Sequence, residues 1–250
     1  MLEQDTAHWK DYDGSYRIDM KHGFGLYLRP GCEYSKKRYI YKIAESNELD
    51  YLKTLQIQNF VCLDVGANIG YWSKFLSEIS KVKSVHAFEP DPVTCKILEN
   101  NLVGLNVIVN QVAIGDLDGN LELFLNPLHS GDNRPIFTEG YLPIKVPCLT
   151  LDTYVKKANL NRVDFVKIDI QGGEVSALEG SVDLLHRFRP LFLVEIWPEL
   201  VTVGVGINHY ITGFVEQNNY RAYMIENGLP LYLSKSELSE FRGNLFLSPK

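Results

Sequence analysis

The chain has 250 residues, 45% hydrophobic and 22% charged, which is the balance of a globular protein with a sizeable core and one main domain. Its 25 basic and 31 acidic side chains give a formal net charge of -6, so it lacks the basic field that holds a nucleic-acid backbone. Its four widely spaced cysteines contain no CxxC pair, which argues against a zinc site and a disulfide framework. We therefore expect no nucleic-acid partner.

Residues 1–59 do not share the pattern of the rest of the chain. They contain a possible hairpin, with strands at residues 16–20 and 26–28, and a helical stretch near residues 51–55. We expect them to form a cap or lid on the main domain, residues 60–250. Neither a basic start followed by an apolar run nor a window of ~20 apolar residues occurs, so we expect a cytoplasmic protein without a membrane span.

From Phe60 onward, short apolar runs alternate with stretches of helical period, which predicts a parallel sheet covered by helices. Five continuous apolar runs have the composition of strands that are buried on both faces: residues 60–65, 84–88, 106–112, 163–168 and 191–196. Helical spacing predicts helices over residues 69–79 and 207–215, and Asp91 followed by Pro92 marks the start of another.

The C-terminal part predicts antiparallel strands. Asn227-Gly228, a strong hairpin-turn pair, separates residues 220–225 from residues 229–233, and residues 245–247 supply a last strand. A sheet that ends in this way differs from a wholly parallel dinucleotide-binding sheet. Earlier in the chain, residues 126–143 form a polar loop rich in Gly and Pro, longer than an ordinary connection, which is typical of functional loops.

The segment DVGANIG, residues 64–70, lies where the first strand turns into the first helix. Gly66 permits a tight turn with bare amides, and Gly70 permits close packing of the helix. Glu89, about 20 residues further on, ends the second strand, where an acid can accept both ribose hydroxyls. Asp64 would repel a pyrophosphate but would pair with an ammonium, so the pattern favours S-adenosylmethionine over a nicotinamide dinucleotide.

Several segments keep a fixed order between Phe60 and about Glu199: VCLDVGANIGYWS, FEPDP, AIGDLDGNLEL, VDFVKIDIQGGEVSALEG and LVEIWPEL, with NLFLSP near the C-terminus. In this order they resemble the FkbM family of S-adenosylmethionine-dependent O-methyltransferases. The resemblance implies an α/β fold: a Rossmann-like seven-stranded methyltransferase sheet, mostly parallel, with an antiparallel C-terminal hairpin and helices on both faces.

The resemblance also implies roles for residues at the strand ends. It places the amino-acid end of the cofactor against four residues of the turn: Asp64, Gly66, Asn68 and Gly70. It makes Glu89 the ribose acceptor. Gln111 and Val112, at the end of the third strand, either face the adenine or pack as ordinary strand-end residues.

Two more acidic residues end strands of the predicted sheet. Asp169 is either a general base close to the cofactor's methyl group or a cap of the turn at residues 171–173. Glu195 either belongs to the catalytic pocket or is paired structurally, and Trp197 is a candidate wall of that pocket. A single strand-end carboxylate does not make a cation site, so we expect no metal.

The long loop concentrates polar side chains in residues 129–134. His129 is either a second candidate base, because histidine titrates near neutrality, or a solvated loop residue. Asp132, Asn133 and Arg134 are candidate substrate-binding residues, and some FkbM members have a similar GD-x-R stretch. Arg134 either forks onto a carboxylate or phosphate of the substrate or pins the loop to the domain.

These features predict an S-adenosylmethionine-dependent O-methyltransferase, with S-adenosylhomocysteine as product. The acceptor would be a hydroxyl or carboxylate oxygen of a small-molecule natural product or a glycan. One alternative is an NAD-type oxidoreductase, which should have a wholly parallel sheet. The other is a non-catalytic binding module, which would typically lack the glycine turn or the ribose acid, and both are present here.

Overall fold

The N-terminal segment is the first folded part of the chain. The computed structural model describes residues 8–55, 58–79, 82–200 and 206–250, so residues 1–7 and 56–57 of the predicted cap lie outside the described residues. The segment contains a hairpin of β1 (Ile18–Asp19) and β2 (Gly25–Leu26), then α1 (Glu33–Tyr41) and α2 (Ser46–Thr54). The hairpin and α2 were predicted. Helix α1 was not, because its sequence, EYSKKRYIY, buries only Ser35 and Tyr39 and has no apolar stripe.

From Phe60 onward, strands and helices alternate as predicted. In chain order they are β3 (Phe60–Val65), α3 (Tyr71–Glu78), β4 (Val82–Phe88), α4 (Pro92–Leu102), β5 (Val107–Asn110), β6 (Ala113–Ile114), β7 (Gly119–Leu125), β8 (Leu142–Leu149), α5 (Leu151–Lys157), β9 (Phe165–Ile168), α6 (Glu174–Glu179), α7 (Val182–Phe188), β10 (Leu191–Ile196), α8 (Ile207–Gln217), β11 (Tyr220–Glu226), β12 (Leu229–Tyr232), α9 (Lys235–Leu238) and β13 (Gly243–Pro249). The five predicted apolar runs correspond to β3, β4, β5, β9 and β10.

The central sheet has the strand order β12-β11-β13-β10-β9-β3-β4-β5. The five strands from β10 to β5 are parallel, and β13 lies antiparallel between β10 and β11. This confirms the mostly parallel methyltransferase sheet with antiparallel C-terminal strands. The hairpin at Asn227 and Gly228, with φ of 51° and 79°, adds β12 as an eighth strand at the edge.

A second, three-stranded sheet of order β6-β8-β7 was not predicted. Strand β8 contains Pro143 and Pro147. Because proline has no N–H group to donate to a neighbouring strand, its presence argues against a strand when only the sequence is known. The structure accommodates both because β6 pairs only with Cys148 and Leu149, which leaves the rest of that side of β8 as an open edge. The predicted long loop therefore connects β7 to β8, and its last two residues belong to β8.

The core lies on both faces of the central sheet. Alternate residues of β10 enter different clusters: Phe192 packs with helices α5 to α8, and Leu193 packs with α3 and the N-terminal segment. Leu26 and Leu49 of that segment are fully buried in the second cluster. The N-terminal segment therefore shares the core of the main domain, and this packing holds α1 and α2 beside the sheet.

Two further observations concern the cysteines and the helices. All four cysteines are buried and free. Among the described residues, no helix combines the length and the apolar character that crossing a bilayer requires.

Candidate active site

The carboxyl ends of β3, β4, β9 and β10 meet at one edge of the central sheet. They bring Asp64, Glu89, Asp169 and Glu195 to the same region, as expected for an open α/β sheet. A cavity of about 340 Å³ lies there, and its wall includes Glu89, Asp169 and Glu195. Asp64 does not belong to that wall because it is fully buried beneath the turn that follows β3.

Gly66 and Gly70 are both required by close approaches of other parts of the chain. Gly66 has φ of +83°, and a Cβ there would lie 1.9 Å from the carbonyl oxygen of Asp169. Gly70, the N-cap of α3, has φ of +91°, and a Cβ would lie 2.7 Å from Cδ1 of Leu98 in α4. The turn is therefore wedged between β9 and α4, where only glycine fits.

The backbone amides of the turn are all used within the protein. The N–H groups of Gly66 and Ala67 donate to the carbonyl oxygen of Phe88 at 3.1 and 2.9 Å, and that of Asn68 donates to Oε2 of Glu89 at 2.9 Å. The next two N–H groups donate to acceptors inside the turn. The expectation of bare amides at this turn is therefore wrong. A phosphate would find no free N–H group at residues 66–70.

Glu89 is only 5% exposed, although it lines the cavity. Its carboxylate accepts hydrogen bonds from the backbone N–H groups of Asn68 and Asp91, each at 2.9 Å. Burial outweighs these bonds and raises the pKa of Glu89 to about 8. Glu89 is thus a buried acid fixed at the end of β4 and facing the cavity.

Asp64 has one satisfied and one unsatisfied oxygen. The Ser73 hydroxyl donates to Oδ2 at 2.6 Å, whereas Oδ1 is buried without a hydrogen-bond partner among the described residues. The nearest cation is Lys167, whose Nζ is 4.0 Å from Oδ1. Burial raises the pKa of Asp64 against the opposing effects of Lys167 and Ser73.

Lys167, in β9, is the buried cation of the site and was not predicted. It is 3% exposed, and its Nζ donates to Oδ2 of Asp169 at 3.0 Å. Burial disfavours its charge, but Asp169, Asp64 and Glu45 outweigh that effect and raise the pKa of Lys167. Lys167 likewise lowers the pKa of Asp169, although burial alone would raise it. The lysine is therefore charged and holds Asp169 in its ionised form.

Gln171 connects Asp169 to Glu195. Its Nε2 donates to Oδ1 of Asp169 at 3.0 Å and to Oε2 of Glu195 at 2.6 Å. Burial and the charge of Asp169 raise the pKa of Glu195 to about 9. At neutral pH the site therefore contains an ionised carboxylate, Asp169, next to a protonated acid, Glu195.

The N-terminal segment supplies another part of the cavity wall, through Tyr34, Lys37, Arg38 and Glu45. The carboxylate of Glu45 accepts a hydrogen bond from Nε1 of Trp72 in α3. None of these residues was predicted to belong to the site.

The long loop contributes His129, Ser130 and Asn133 to the cavity wall. Nδ1 of His129 is buried and has no hydrogen-bond partner in the described part of the chain. Burial, with Lys37 nearby, lowers the pKa of His129, so the ring is neutral at pH 7. Asp132 and Arg134 are not part of the wall. They form an ion pair of 2.7 Å with each other inside the loop.

The other two predicted strand-end residues differ in position. Val112 is buried and lines a second, more apolar cavity of about 390 Å³, which adjoins the first at Gly66 and Pro90. Gln111 is exposed and lines neither cavity. Trp197, with 40% of its surface exposed, also lines neither cavity.

The family of the chain follows from comparing its sequence with those of known protein families. Residues 64–222, more than half of the chain, match the methyltransferase FkbM domain. The chain belongs to the FkbM methyltransferase family. The matched residues of this FkbM-family protein include Asp64, Glu89 and Asp169, whereas Arg38 and Glu45 precede them.

Individual relatives of the chain are also named as methyltransferases. Hexuronic acid methyltransferase AglP from Haloferax volcanii is 28% identical over 138 residues, which cover 54% of this chain and about half of AglP, 55%. The 2-O-methyltransferase NoeI from Sinorhizobium fredii is 24% identical, with 67% of this chain and 80% of NoeI covered. The crystal structure of methyltransferase FkbM from Methylobacillus flagellatus KT has the same fold, with a TM-score of 0.51 at 13% identity, covering 98% of this chain and 58% of that chain.

Sequence signals for the missed residues of this FkbM-family site differ in strength. Lys167 is a charged residue inside an otherwise apolar strand, the same signal that singled out Glu195. Arg38 and Glu45 have no such signal, because charged residues are frequent in α1 and in the turn after it. Among the described residues, no group of three or more His, Cys, Asp or Glu side chains is arranged to hold a metal ion.

Proposed function

We propose that this FkbM-family protein is an S-adenosylmethionine-dependent O-methyltransferase. It would act on a hydroxyl or carboxylate oxygen of a small molecule or glycan. The observation that carries the proposal is the placement of Glu89 at the cavity beside a turn that has Asp64 beneath it and no free amide. This combination suits a nucleoside with free hydroxyls and a cationic tail, and it disfavours a pyrophosphate.

The residues present fit S-adenosylmethionine group by group. Glu89 can accept hydrogen bonds from the ribose hydroxyls, and Val112 in the adjoining apolar cavity can pack against the adenine. The unsatisfied oxygen of Asp64 gives the region beneath the turn the negative potential that a cationic amino-acid end requires. An NAD-type cofactor fits less well, because its pyrophosphate would meet carboxylates and occupied amides.

Asp169 is the group that we assign to the acceptor oxygen. When bound, S-adenosylmethionine would supply a methyl group on a sulfonium: the acceptor oxygen would form a bond to the methyl carbon, and the electrons of the carbon–sulfur bond would go to sulfur, which leaves as the neutral thioether of S-adenosylhomocysteine. Asp169, kept ionised by Lys167, orients an acceptor hydroxyl and takes its proton. Protonated Glu195 cannot take that proton at neutral pH, and its place beyond Gln171 suits it to position Asp169.

Enclosure of the reacting atoms is the other requirement of methyl transfer. Helix α1 and the loop residues His129 and Ser130 both line the cavity, and they contact each other where the rings of Tyr34 and His129 pack together. These elements exclude water from the reacting atoms. Holding the acceptor oxygen close to the methyl carbon then supplies much of the acceleration of methyl transfer. The names of AglP, a hexuronic acid methyltransferase, and NoeI, a 2-O-methyltransferase, support an oxygen of a sugar-like acceptor.

The test is transfer of a labelled methyl group from S-adenosylmethionine to a panel containing neutral glycosides, uronic-acid glycosides, amino-sugar glycosides and simple polyols. Mild base distinguishes the products, because a methyl ester loses its label as methanol and a methyl ether keeps it. We expect one of these two products. A product methylated on nitrogen or carbon would contradict the proposal.

Asp169→Asn tests the assignment of the proton acceptor in the same assay. For a hydroxyl acceptor we expect the rate to fall by roughly 10²- to 10⁴-fold, while affinity for S-adenosylhomocysteine changes far less. The matched control is Asp183→Asn, which alters an exposed carboxylate on α7. A full rate in Asp169→Asn, with a loss in His129→Gln, would transfer the role to His129.

A further inference from the structure

Arg38 of α1 has an environment unlike that of the other buried charges. Its guanidinium carbon lies 4.5 Å from the ring centroid of Tyr34 and 5.7 Å from that of Tyr71. Its Nε is buried and lacks a hydrogen-bond partner among the described residues. Four other arginines, Arg29, Arg134, Arg162 and Arg242, form ion pairs with carboxylates, whereas in the described part of the chain Arg38 forms none within 4.0 Å.

A guanidinium in this position favours an anion as its missing partner. Burial disfavours the charge of Arg38, but Tyr34 and Glu45 outweigh that effect and raise its pKa, so the guanidinium is charged while its buried Nε still has no hydrogen-bond partner among the described residues. The planar fork of arginine matches the two oxygens of a carboxylate. Because Arg38 lines the cavity, a ligand in the cavity can supply that carboxylate.

Glu45 supplies a carboxyl group to the same cavity wall; burial raises its pKa against the opposing effects of Lys167 and Arg38, and a bound cation would favour its ionised form. It has φ of 41°, a left-handed conformation that costs a residue with a Cβ about 1 kcal/mol, and its side chain nevertheless lies in the cavity wall. The indole of Trp72 holds its carboxylate in place. Glu45 and Arg38 attract each other but are not joined by an ion pair in the described residues, so each retains capacity for a ligand.

Basic and acidic side chains on one cavity wall are complementary to an α-amino acid, which carries an ammonium and a carboxylate on one carbon. Asn68 and Tyr71, from the turn and the start of α3, line the same cavity. Asp64 is fully buried and lies outside the cavity wall, so it acts on the ammonium only through its potential. A direct contact with the ammonium must come from another carboxylate.

We infer that the N-terminal segment completes the cofactor site, with Arg38 binding the carboxylate of the cofactor's amino-acid end and Glu45 binding its ammonium. This inference rests on the proposed function, because it takes S-adenosylmethionine as the cofactor. It also changes the role expected for residues 1–59 from a cap or lid on the main domain to a part of the cofactor site.

The test is isothermal titration of the full chain with two ligands. S-adenosylhomocysteine carries the amino-acid end, and 5′-methylthioadenosine has the same nucleoside and a thioether sulfur but no amino acid. The variants are Arg38→Met and Glu45→Gln, of which the second keeps an oxygen for the Trp72 hydrogen bond. The matched control is Lys36→Met, which removes a cation of α1 that pairs with Glu33 outside the cavity.

We expect Arg38→Met to weaken S-adenosylhomocysteine binding by roughly 10- to 100-fold, the loss of one charge-assisted contact, and Glu45→Gln by about 10-fold. Affinity for 5′-methylthioadenosine should stay within about twofold of wild type in all variants, which also shows that they are folded. Lys36→Met should leave both affinities unchanged.

Three results would overturn the inference. Unchanged S-adenosylhomocysteine affinity in Arg38→Met would show that this arginine does not contact the cofactor. The proposed function would stand in that case, because the protein would still bind both ligands. Equal losses for the two ligands would show a structural role for Arg38. A wild-type protein that binds neither ligand would remove the proposed function and this inference together.

Discussion

At the scale of single residues, the site depends on which carboxyl groups are ionised. Lys167 lies between Asp64 and Asp169 and keeps Asp169 charged, whereas burial keeps Glu89 and Glu195 protonated near neutral pH. Four acids at one sheet edge thus have different protonation states because their surroundings differ. This division separates the ionised carboxylate of Asp169, the proposed base, from the protonated acids Glu89 and Glu195.

The pKa of Glu89, raised by burial to about 8, predicts proton release when the cofactor binds. At pH 7 the free protein holds a proton on Glu89, and ribose hydroxyls that donate to its carboxylate favour the ionised form. Affinity for S-adenosylhomocysteine should therefore increase as pH rises toward 8. Titrations at pH 7 in two buffers of different ionisation enthalpy measure the released proton. Release should vanish in Glu89→Gln, and proton uptake by the wild type would contradict the assignment.

Removal of Lys167 should destabilise the fold in a pH-dependent way. Lys167→Met leaves Asp64 and Asp169 buried without a counter-charge, at a cost of roughly 3–5 kcal/mol near neutral pH. The folded pKa of Asp169, lowered in the wild type, would then rise above the unfolded value of about 3.9, and that of Asp64, already raised by burial, would rise further. The lost stability should therefore return as pH falls through the raised folded values, because the carboxyl groups take up protons.

Urea unfolding at pH 7.5 and pH 5 measures this effect, with Lys53→Met, an exposed partner of Asp50, as the control. The free energy of unfolding should differ between Lys167→Met and wild type more at pH 7.5 than at pH 5. A loss of equal size at the two pH values would contradict the assigned ion pairs.

At the scale of elements, the sequence predicted the parts of the site that lie at strand ends. Apolar runs locate β3, β4, β9 and β10, and parallel strands bring their carboxyl ends together, so Glu89 and Asp169 could be placed before the structure was known. The burial and pairing of each side chain could not, since they depend on contacts between distant elements. The amides of the glycine turn show this, because Phe88 and Glu89 of the neighbouring strand occupy them.

The close packing of the glycine turn against β9 predicts that substitution by alanine lowers the free energy of unfolding more at one glycine than at another. Gly66 and Gly140 both have φ of +83°, but a Cβ at Gly66 would overlap the Asp169 carbonyl, whereas one at Gly140 would meet nothing within 4 Å. Gly140→Ala should cost about 1 kcal/mol from its conformation alone. Gly66→Ala should cost at least about 2 kcal/mol more because β9 must move. Equal free energies of unfolding in the two variants would contradict this packing.

At the scale of the whole molecule, the N-terminal segment and the main domain form one core. Leu26 and Leu49 are buried in the same cluster as Leu193 and Phe246 of the central sheet. The sequence indicated an attached extension but not its place beside the glycine turn, because α1 lacks an apolar stripe and its contacts are all tertiary. The segment therefore acts with the strand ends to define the cavity.

The central claim, that the cavity binds S-adenosylmethionine rather than a dinucleotide, is tested most directly by isothermal titration of the full chain with S-adenosylhomocysteine and, separately, with NAD. We expect micromolar binding of S-adenosylhomocysteine that weakens in Glu89→Ala, and no heat with NAD, because residues 66–70 offer a pyrophosphate no free amide. An NAD isotherm with no response to S-adenosylhomocysteine would contradict the claim.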